Sequence, residues 1–260
     1  MLVAESLSMS LKIIITGASS GLGRALARHY ASLGATLGLI ARSKASLEAL
    51  VNELPDPSTI FYDIDVRDAE SMQSAACDFI QLYGCPDIVI ANAGISQGTL
   101  TEYAEDSKVF ESILATNVTG IVNTFQPFIA VMRTQGKGSL VGISSVASYR
   151  GLPGGSAYSA SKAAANSYLE SLRVEMYGSG VSVITVCPGY IVTPMTANNP
   201  FRMPFIMTAE TTAKKIVHII KHRKLYSVIP WQMAIVARIL KLLPNSVYDR
   251  LFSIMPRKPR

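Results

Sequence analysis

Short apolar runs that show no inside/outside alternation recur along this chain, each followed by a helix-like stretch, and no other feature limits its fold as much. The runs are LKIIIT (11–16), TLGLIA (36–41), TIFYDIDV (59–66), DIVIANA (87–93), GSLVGIS (138–144) and VSVITVC (181–187). Helical patterns lie near 22–33, 44–53, 69–83, 106–133, 158–178 and 209–223. A strand that is apolar on both sides suits a sheet covered on both faces. Strands alternating with helices predict a parallel sheet joined by right-handed crossovers. The expected fold is a single α/β domain, a doubly wound parallel sheet in three α/β/α layers. At 260 residues the chain fits one such domain. With 49% hydrophobic and 16% charged residues, it is excluded from the intrinsically disordered class.

The pattern divides the chain into a loosely ordered N-terminus (1–10), the α/β domain (11–224) and an apolar, basic extension (225–260). The first residues, MLVAESLSMSLK, are too short and polar a stretch to read as a signal peptide. Cys77, Cys85 and Cys187 are odd in number and widely spaced, which predicts reduced thiols in a cytoplasmic protein.

The first strand runs into Thr16-Gly17-Ala18-Ser19-Ser20-Gly21-Leu22-Gly23. This G-x-x-x-G-x-G opens a helix. Gly17 permits the sharp turn, Gly21 lets backbone approach a pyrophosphate, and Gly23 lets helix pack on strand. Free N–H groups and the dipole of the helix start attract the anion, so Ser19, Ser20 and Leu22 join the predicted cofactor site. An ordinary glycine-rich turn is the alternative, and the strand–loop–helix context argues against it. The second strand ends at Ala41-Arg42-Ser43. An acid at this point would accept from the ribose 2′-OH of NAD and repel a 2′-phosphate. Arg42 can instead grip phosphate with its guanidinium fork, and Ser43 adds a hydroxyl. The expectation is NADP(H) rather than NAD(H).

Tyr158 and Lys162 stand four residues apart, on one face of a predicted helix. A free phenol titrates at about 10. An ammonium about 4 Å away contributes on the order of 4 kcal/mol at an effective dielectric of about 20. That would lower the phenol's pKa by up to roughly 3, which suits proton transfer at a carbonyl oxygen.

With these residues in place, the chain resembles the short-chain dehydrogenase/reductase family over about residues 11–223. Thr16-Gly17 through Gly23 matches its T-G-x-x-x-G-x-G. Asp65-Val66 matches the pair that holds adenine, and Asn92-Ala93-Gly94 the last three positions of N-N-A-G. Asn117-Val118, Ser145 thirteen residues before Tyr158, and Pro188-Gly189 with Thr193 complete the set. The first N of N-N-A-G is Ala91 here, a structural position in the family.

The resemblance implies a Rossmann-type fold and an oxidoreductase that moves a hydride between nicotinamide and a ketone/secondary-alcohol pair. It implies that Ser145 hydrogen-bonds the substrate oxygen, Tyr158 exchanges the proton, and Lys162 tunes Tyr158 and binds the nicotinamide ribose. Asn117 would hold a water beside Lys162; satisfying backbone at a helix irregularity is its other reading. Thr193 would bind the carboxamide, with Pro188, Gly189 and Ile191 beside the ring. It also implies a homodimer or homotetramer built on the helices near 106–133 and 158–178. The absence of a Ser-His-Asp arrangement argues against hydrolysis. No metal is expected: His218 and His222, four apart among lysines, read as a solvated basic face.

Residues 194–207 hold three Met, two Phe and one Ile, which predicts an apolar wall over a hydrophobic substrate, lipid-like, 3-oxoacyl or steroid-like. A small polar substrate is the weaker alternative. Charge is concentrated late: residues 214–260 carry eleven Lys/Arg against one acid, Asp249. Within 225–256, Trp231, Met233, Ile235, Val236, Ile239, Leu240, Leu242 and Leu243 interleave with Arg238 and Lys241. Two readings stay open for this tail: peripheral contact with a membrane surface, or packing over the substrate cleft or against a twin subunit. Nucleic acid is not expected, because the bases interleave with aliphatics. The rival to an enzyme is a non-catalytic NADP-binding sensor or membrane scaffold. The intact set Asn117, Ser145, Tyr158 and Lys162 argues against it.

Overall fold

The computed structural model describes residues 10–55 and 59–260. The expectation for residues 1–9 lies outside the described residues. Seven parallel strands form one sheet: β1 (Lys12–Thr16), β2 (Thr36–Ala41), β3 (Thr59–Asp63), β4 (Ile88–Ala91), β5 (Gly138–Ile143), β6 (Val181–Pro188) and, after a short pair introduced below, β9 (Tyr226–Ile229). Their order is β3-β2-β1-β4-β5-β6-β9. The first six lie where the apolar runs predict them. The seventh does not: β9 pairs with β6 in register Thr185↔Tyr226 to Pro188↔Ile229, inside the segment assigned to the extension. The sheet thus runs past the expected boundary at 224. Residues 225–229 blend into a longer uncharged stretch, so composition alone does not delimit them.

Side chains leave each strand alternately, and here both sides are covered. Ile13 and Ile15 join Leu37, Leu39 and Ile90 on one face, packed by α1 (Gly21–Ala31), α2 (Lys44–Glu53) and α7 (Ala209–Lys221). Ile14, Ile40 and Val89 point the other way, toward Phe79 of α3 (Ala69–Tyr83), Phe125 and Phe128 of α5 (Gly120–Gln135), and Leu169 of α6 (Ser156–Glu175). Fully burying one such side chain contributes about 1.5–3 kcal/mol, so these two layers dominate the stability of the fold.

The helix predicted over 106–133 is interrupted. It is built as α4 (Asp106–Leu114), a π turn (Ala115–Thr119) and α5. Ile191–Val192 (β7) and Met207–Thr208 (β8) form a two-stranded ladder that closes the base of the 193–206 loop. Beyond β9 lie α8 (Trp231–Leu242) and α9 (Asn245–Phe252).

The chain winds outward in opposite directions from β1 and β4, so a crevice opens beyond their C-terminal ends, where ligands bind in folds of this kind. The loops after β1, β4, β5 and β6 all meet there.

Candidate active site

The crevice begins at Thr16, the last residue of β1. Its hydroxyl accepts from the backbone N–H of Asn92 (3.1 Å) and of Ala93 (3.2 Å), and the Asn92 amide donates back to Thr16 O (3.0 Å). The glycine loop and the loop after β4 are thereby tied into one floor. Gly17 and Gly21 hold φ of 66° and 50°, left-handed values that a side chain resists. A Cβ on Gly23 would stand 2.1 Å from Gly17 O, so α1 could not seat as it does with any other residue. Ser20 precedes α1 without a side-chain cap bond, which leaves the first-turn amides open to the crevice.

The crevice is lined by Gly17, Ser19, Ser20, Gly21, Leu22, Arg42, Asp65, Val66, Asn92, Ala93, Gly94, Pro188, Gly189, Ile191 and Thr193, together with Ser145, Tyr158 and Lys162. Three predicted residues stand off its wall. Gly23 lies beneath the loop. Ser43 caps α2, its hydroxyl accepting from Ser46 N (3.3 Å) and sharing a bond with the Ser46 hydroxyl (2.8 Å). Asn117 is fully buried behind the wall. Asp65 is gripped by Arg67 (Oδ2 to Nη2, 2.6 Å), which holds its carboxyl below the usual range, with Arg42 adding in the same direction.

Ser145 follows β5 and is buried. Its hydroxyl accepts from Ala147 N at 3.1 Å, which fixes the side chain at the head of a short 3-10 turn. Tyr158 occupies the first turn of α6, which begins two residues earlier than the periodicity predicts. Lys162, one turn on, is 4% exposed. Its Nζ donates to Ile143 O at 2.8 Å and stands 5.8 Å from the centre of the Tyr158 ring.

This geometry corrects one expectation. The net shift of the Tyr158 pKa is upward here, not downward. Burial pushes the phenol above its ordinary value, opposed by its bond with Ser145. Burial also brings Lys162 down to about 8, because a charged amine is costly to desolvate. At this distance desolvation outweighs the attraction that spacing alone suggested.

Asn117 sits in the π turn. Its Oδ1 accepts from Ile95 N (2.8 Å), while Nδ2 donates to Ile95 O (3.0 Å) and to the Ser161 hydroxyl (2.9 Å). The extra residue of a π turn rotates one side chain out of helical register, and such turns recur at functional sites. Of the two readings, satisfying backbone at a helix irregularity is the one the geometry displays. The clamp secures the loop after β4 against α6.

A second cavity adjoins the crevice and shares Ser145, Tyr158, Gly189, Met195 and Thr196 with it. Its other walls are mostly apolar: Val146, Ala147, Leu152, Pro153, Tyr190, Phe201, Phe252, Met255 and Pro256. Met195 and Phe201 come from the loop predicted to be apolar, whereas Phe205 and Ile206 point outward and are 48% and 41% exposed. Lys258 reaches this cavity from the end of the chain.

A family model described as short chain dehydrogenase matches residues 12–202. The chain belongs to the short-chain dehydrogenase family. It is 36% identical over 238 residues to an uncharacterised oxidoreductase of Myxococcus xanthus, spanning 91% of this chain and 94% of that one. It is 37% identical over 192 residues to 11-beta-hydroxysteroid dehydrogenase 1A of Arabidopsis thaliana, covering 73% of this chain and 54% of that one. Among solved structures, an alcohol dehydrogenase of Thermococcus sibiricus complexed with 5-hydroxy-NADP superposes with a TM-score of 0.73 at 27% identity, over 82% of this chain and 91% of that one. This short-chain dehydrogenase is therefore an oxidoreductase, and a nicotinamide cofactor is supported.

Four residues of its site escape a reading of the sequence. Thr16 lies in the glycine motif, but its role as a double acceptor does not show there. Ser161 and Ser96 are serines in unremarkable surroundings. Lys258 sits in a basic tail whose path over the cavity is purely tertiary. The tail helix α8 packs inward through Met233 and Ala237 and leaves Trp231, Ile235, Ile239 and Leu242 exposed. Among the described residues, no helix is long and apolar enough to cross a membrane.

Proposed function

We propose that this short-chain dehydrogenase reduces a hydrophobic ketone with NADPH, Tyr158 delivering the proton to the carbonyl oxygen. One observation carries the reading: Ser145 and Tyr158 line both the nucleotide crevice and the apolar cavity beside it. A carbonyl held by these two hydroxyls would face the crevice with its apolar body in the cavity.

The crevice fits the cofactor. The left-handed turns at Gly17 and Gly21 bring bare backbone to its floor, the open end of α1 suits a pyrophosphate, and exposed Arg42 suits a 2′-phosphate. Asp65, Val66, Asn92, Ala93 and Gly94 would flank the adenosine half. Pro188, Gly189, Ile191 and Thr193 would flank the nicotinamide, whose reduced form supplies the hydride to the carbonyl carbon. Ser145 orients the carbonyl oxygen and stabilises the charge that develops on it. Tyr158, held above the ordinary phenol pKa by burial, stays protonated at neutral pH and is ready to donate. Reduction is the direction this favours. Lys162 stands between Ile143 O and the crevice, placed to take the ribose hydroxyls and to re-supply the proton. Asn117 holds the surrounding loop still and is placed to seat a water beside Lys162. Family members commonly form oligomers, and a homodimer or homotetramer through α5 and α6 is part of the same reading. The exposed apolar stripe of α8, flanked by Arg238 and Lys241, supports peripheral contact with an anionic membrane surface.

The test is NADPH consumption with a panel of long-chain and polycyclic ketones, run beside Tyr158→Phe. The variant is expected to lose about 10²–10⁴-fold in kcat while binding NADPH as the wild type does. A wild type that binds NADPH tightly and reduces no ketone, or a variant as fast as the wild type, would overturn the proposal.

A further inference from the structure

The chain after α9 crosses the mouth of the apolar cavity as a strap. Pro259 O accepts from Gly98 N at 2.8 Å. Arg260 pairs with Asp106 (Nε to Oδ2, 3.0 Å) and Glu105 (2.7 Å), and its guanidinium lies 3.7 Å from the centre of the Tyr103 ring. Tyr248 of α9 donates to Gly151 O and carries Arg150 over its ring at 4.1 Å. The strap beds on glycine: a Cβ on Gly98 would stand 2.3 Å from Lys258 O, and one on Gly154 2.9 Å from Arg257 Cβ.

Fastened on both sides, the strap carries Lys258 inward. Its Nζ donates to the Ser96 hydroxyl at 2.6 Å and stands 5.7 Å from the centre of the Tyr158 ring. Arg260, two residues on, holds two acids; among the described residues no carboxylate pairs with Lys258. No acid lines the cavity, and Lys258 is the one charged residue on its wall among the described residues. A partly buried ammonium with a single hydroxyl partner is under-satisfied, and an anion there would make a charge-assisted bond at low dielectric.

The geometry points to Lys258 as a specificity-determining residue that receives the anionic group, carboxylate or phosphate, of an amphiphilic ketone. The inference rests on the proposed function, in which Tyr158 holds the carbonyl. Because the ammonium stands so close to the Tyr158 ring, the anion lies within a few bonds of the reacting carbonyl. The apolar body then extends along Leu152, Phe201, Phe252 and Met255. A neutral steroid-like ketone would leave the ammonium unpaired and is the poorer fit.

The experiment compares 3-oxodecanoate with its methyl ester under NADPH, in wild type, Lys258→Met, Lys258→Arg and Gly98→Ala. The wild type is expected to favour the acid by about tenfold or more in kcat/KM, mostly through KM. Lys258→Met should bring the ratio near one, Lys258→Arg should restore most of it, and Gly98→Ala, which lifts the strap, should lower it. A wild-type ratio near one, or a ratio unchanged by Lys258→Met, overturns the inference. Calorimetric binding of decanoate, decyl phosphate and decanol to the NADPH complex gives a readout without turnover. Tighter binding of either anion that Lys258→Met abolishes supports the inference even if no ketone is reduced, and then only the proposed reaction fails. The anion preferred there identifies the headgroup. Equal binding of all three probes overturns the inference.

Discussion

Lys162→Met tests whether the buried ammonium is held against the interest of the fold. Lys162 is 4% exposed, and its pKa falls from 10.5 to about 8. A depressed amine pKa means that the unfolded chain binds the proton more tightly than the native one. Stability therefore rises with pH between about 8 and 10.5, where the unfolded state carries more protons. Below about 8 both states are protonated and the penalty is fully present. At 1.36 kcal/mol per pH unit, it amounts to about 3 kcal/mol. Methionine fills similar volume without the charge but gives up the bond to Ile143 O, worth about 1 kcal/mol. The cofactor-free variant should therefore be about 2 kcal/mol more stable than the wild type at pH 7, and catalytically dead. Urea unfolding at a series of pH values checks this, with the gap narrowing toward pH 10. A variant less stable than the wild type at pH 7, or a gap that does not change with pH, would refute the reasoning.

Three other outcomes follow from the site. Arg42→Ala should raise KM for NADPH by about tenfold and leave KM for NADH nearly unchanged, as measured in parallel initial-rate series. Ser161→Ala strands one buried N–H of Asn117 and should cost about 1–3 kcal/mol in urea unfolding, with a matching loss of kcat as the loop after β4 loosens. Trp231→Ser with Ile239→Ser should release the protein from anionic vesicles in co-sedimentation; a wild type that ignores vesicles but self-associates through α8 would assign the stripe to a second copy.

The repeating strand and helix runs made the sheet legible because both of its faces are covered, so each central strand is apolar throughout. Residues 226–229 form an edge strand, half exposed and short, and carry no such signature. The glycine loop and the residues from Arg42 to Thr193 were legible because each meets the crevice through its local turn. Ser43 looked equivalent to Arg42, yet a serine ahead of a helix is also a capping residue, and that local use prevailed. The closeness of Tyr158 and Lys162 was legible, but the net direction of the phenol's shift was not, since spacing reports proximity and not burial. Lys258 was illegible for another reason. Its neighbours Ser96 and Tyr158 lie a hundred residues or more away along the chain, and only the fastening of the strap brings them together.

The π turn at Ala115–Thr119 has a bearing on which sequence changes this protein can absorb. It is in effect one surplus residue in an otherwise regular rod. Excising a residue such as Val118 would let the rod run true without turning α5, because the wide turn is what absorbs the extra residue. Phe125, Phe128 and Met132 would keep their places in the interior, while Asn117 would lose the widened turn that presents it to Ile95 and Ser161. The anchorage of α5 thus survives such a deletion and the clamp on Ile95 does not, so the surplus residue serves the crevice and not the core.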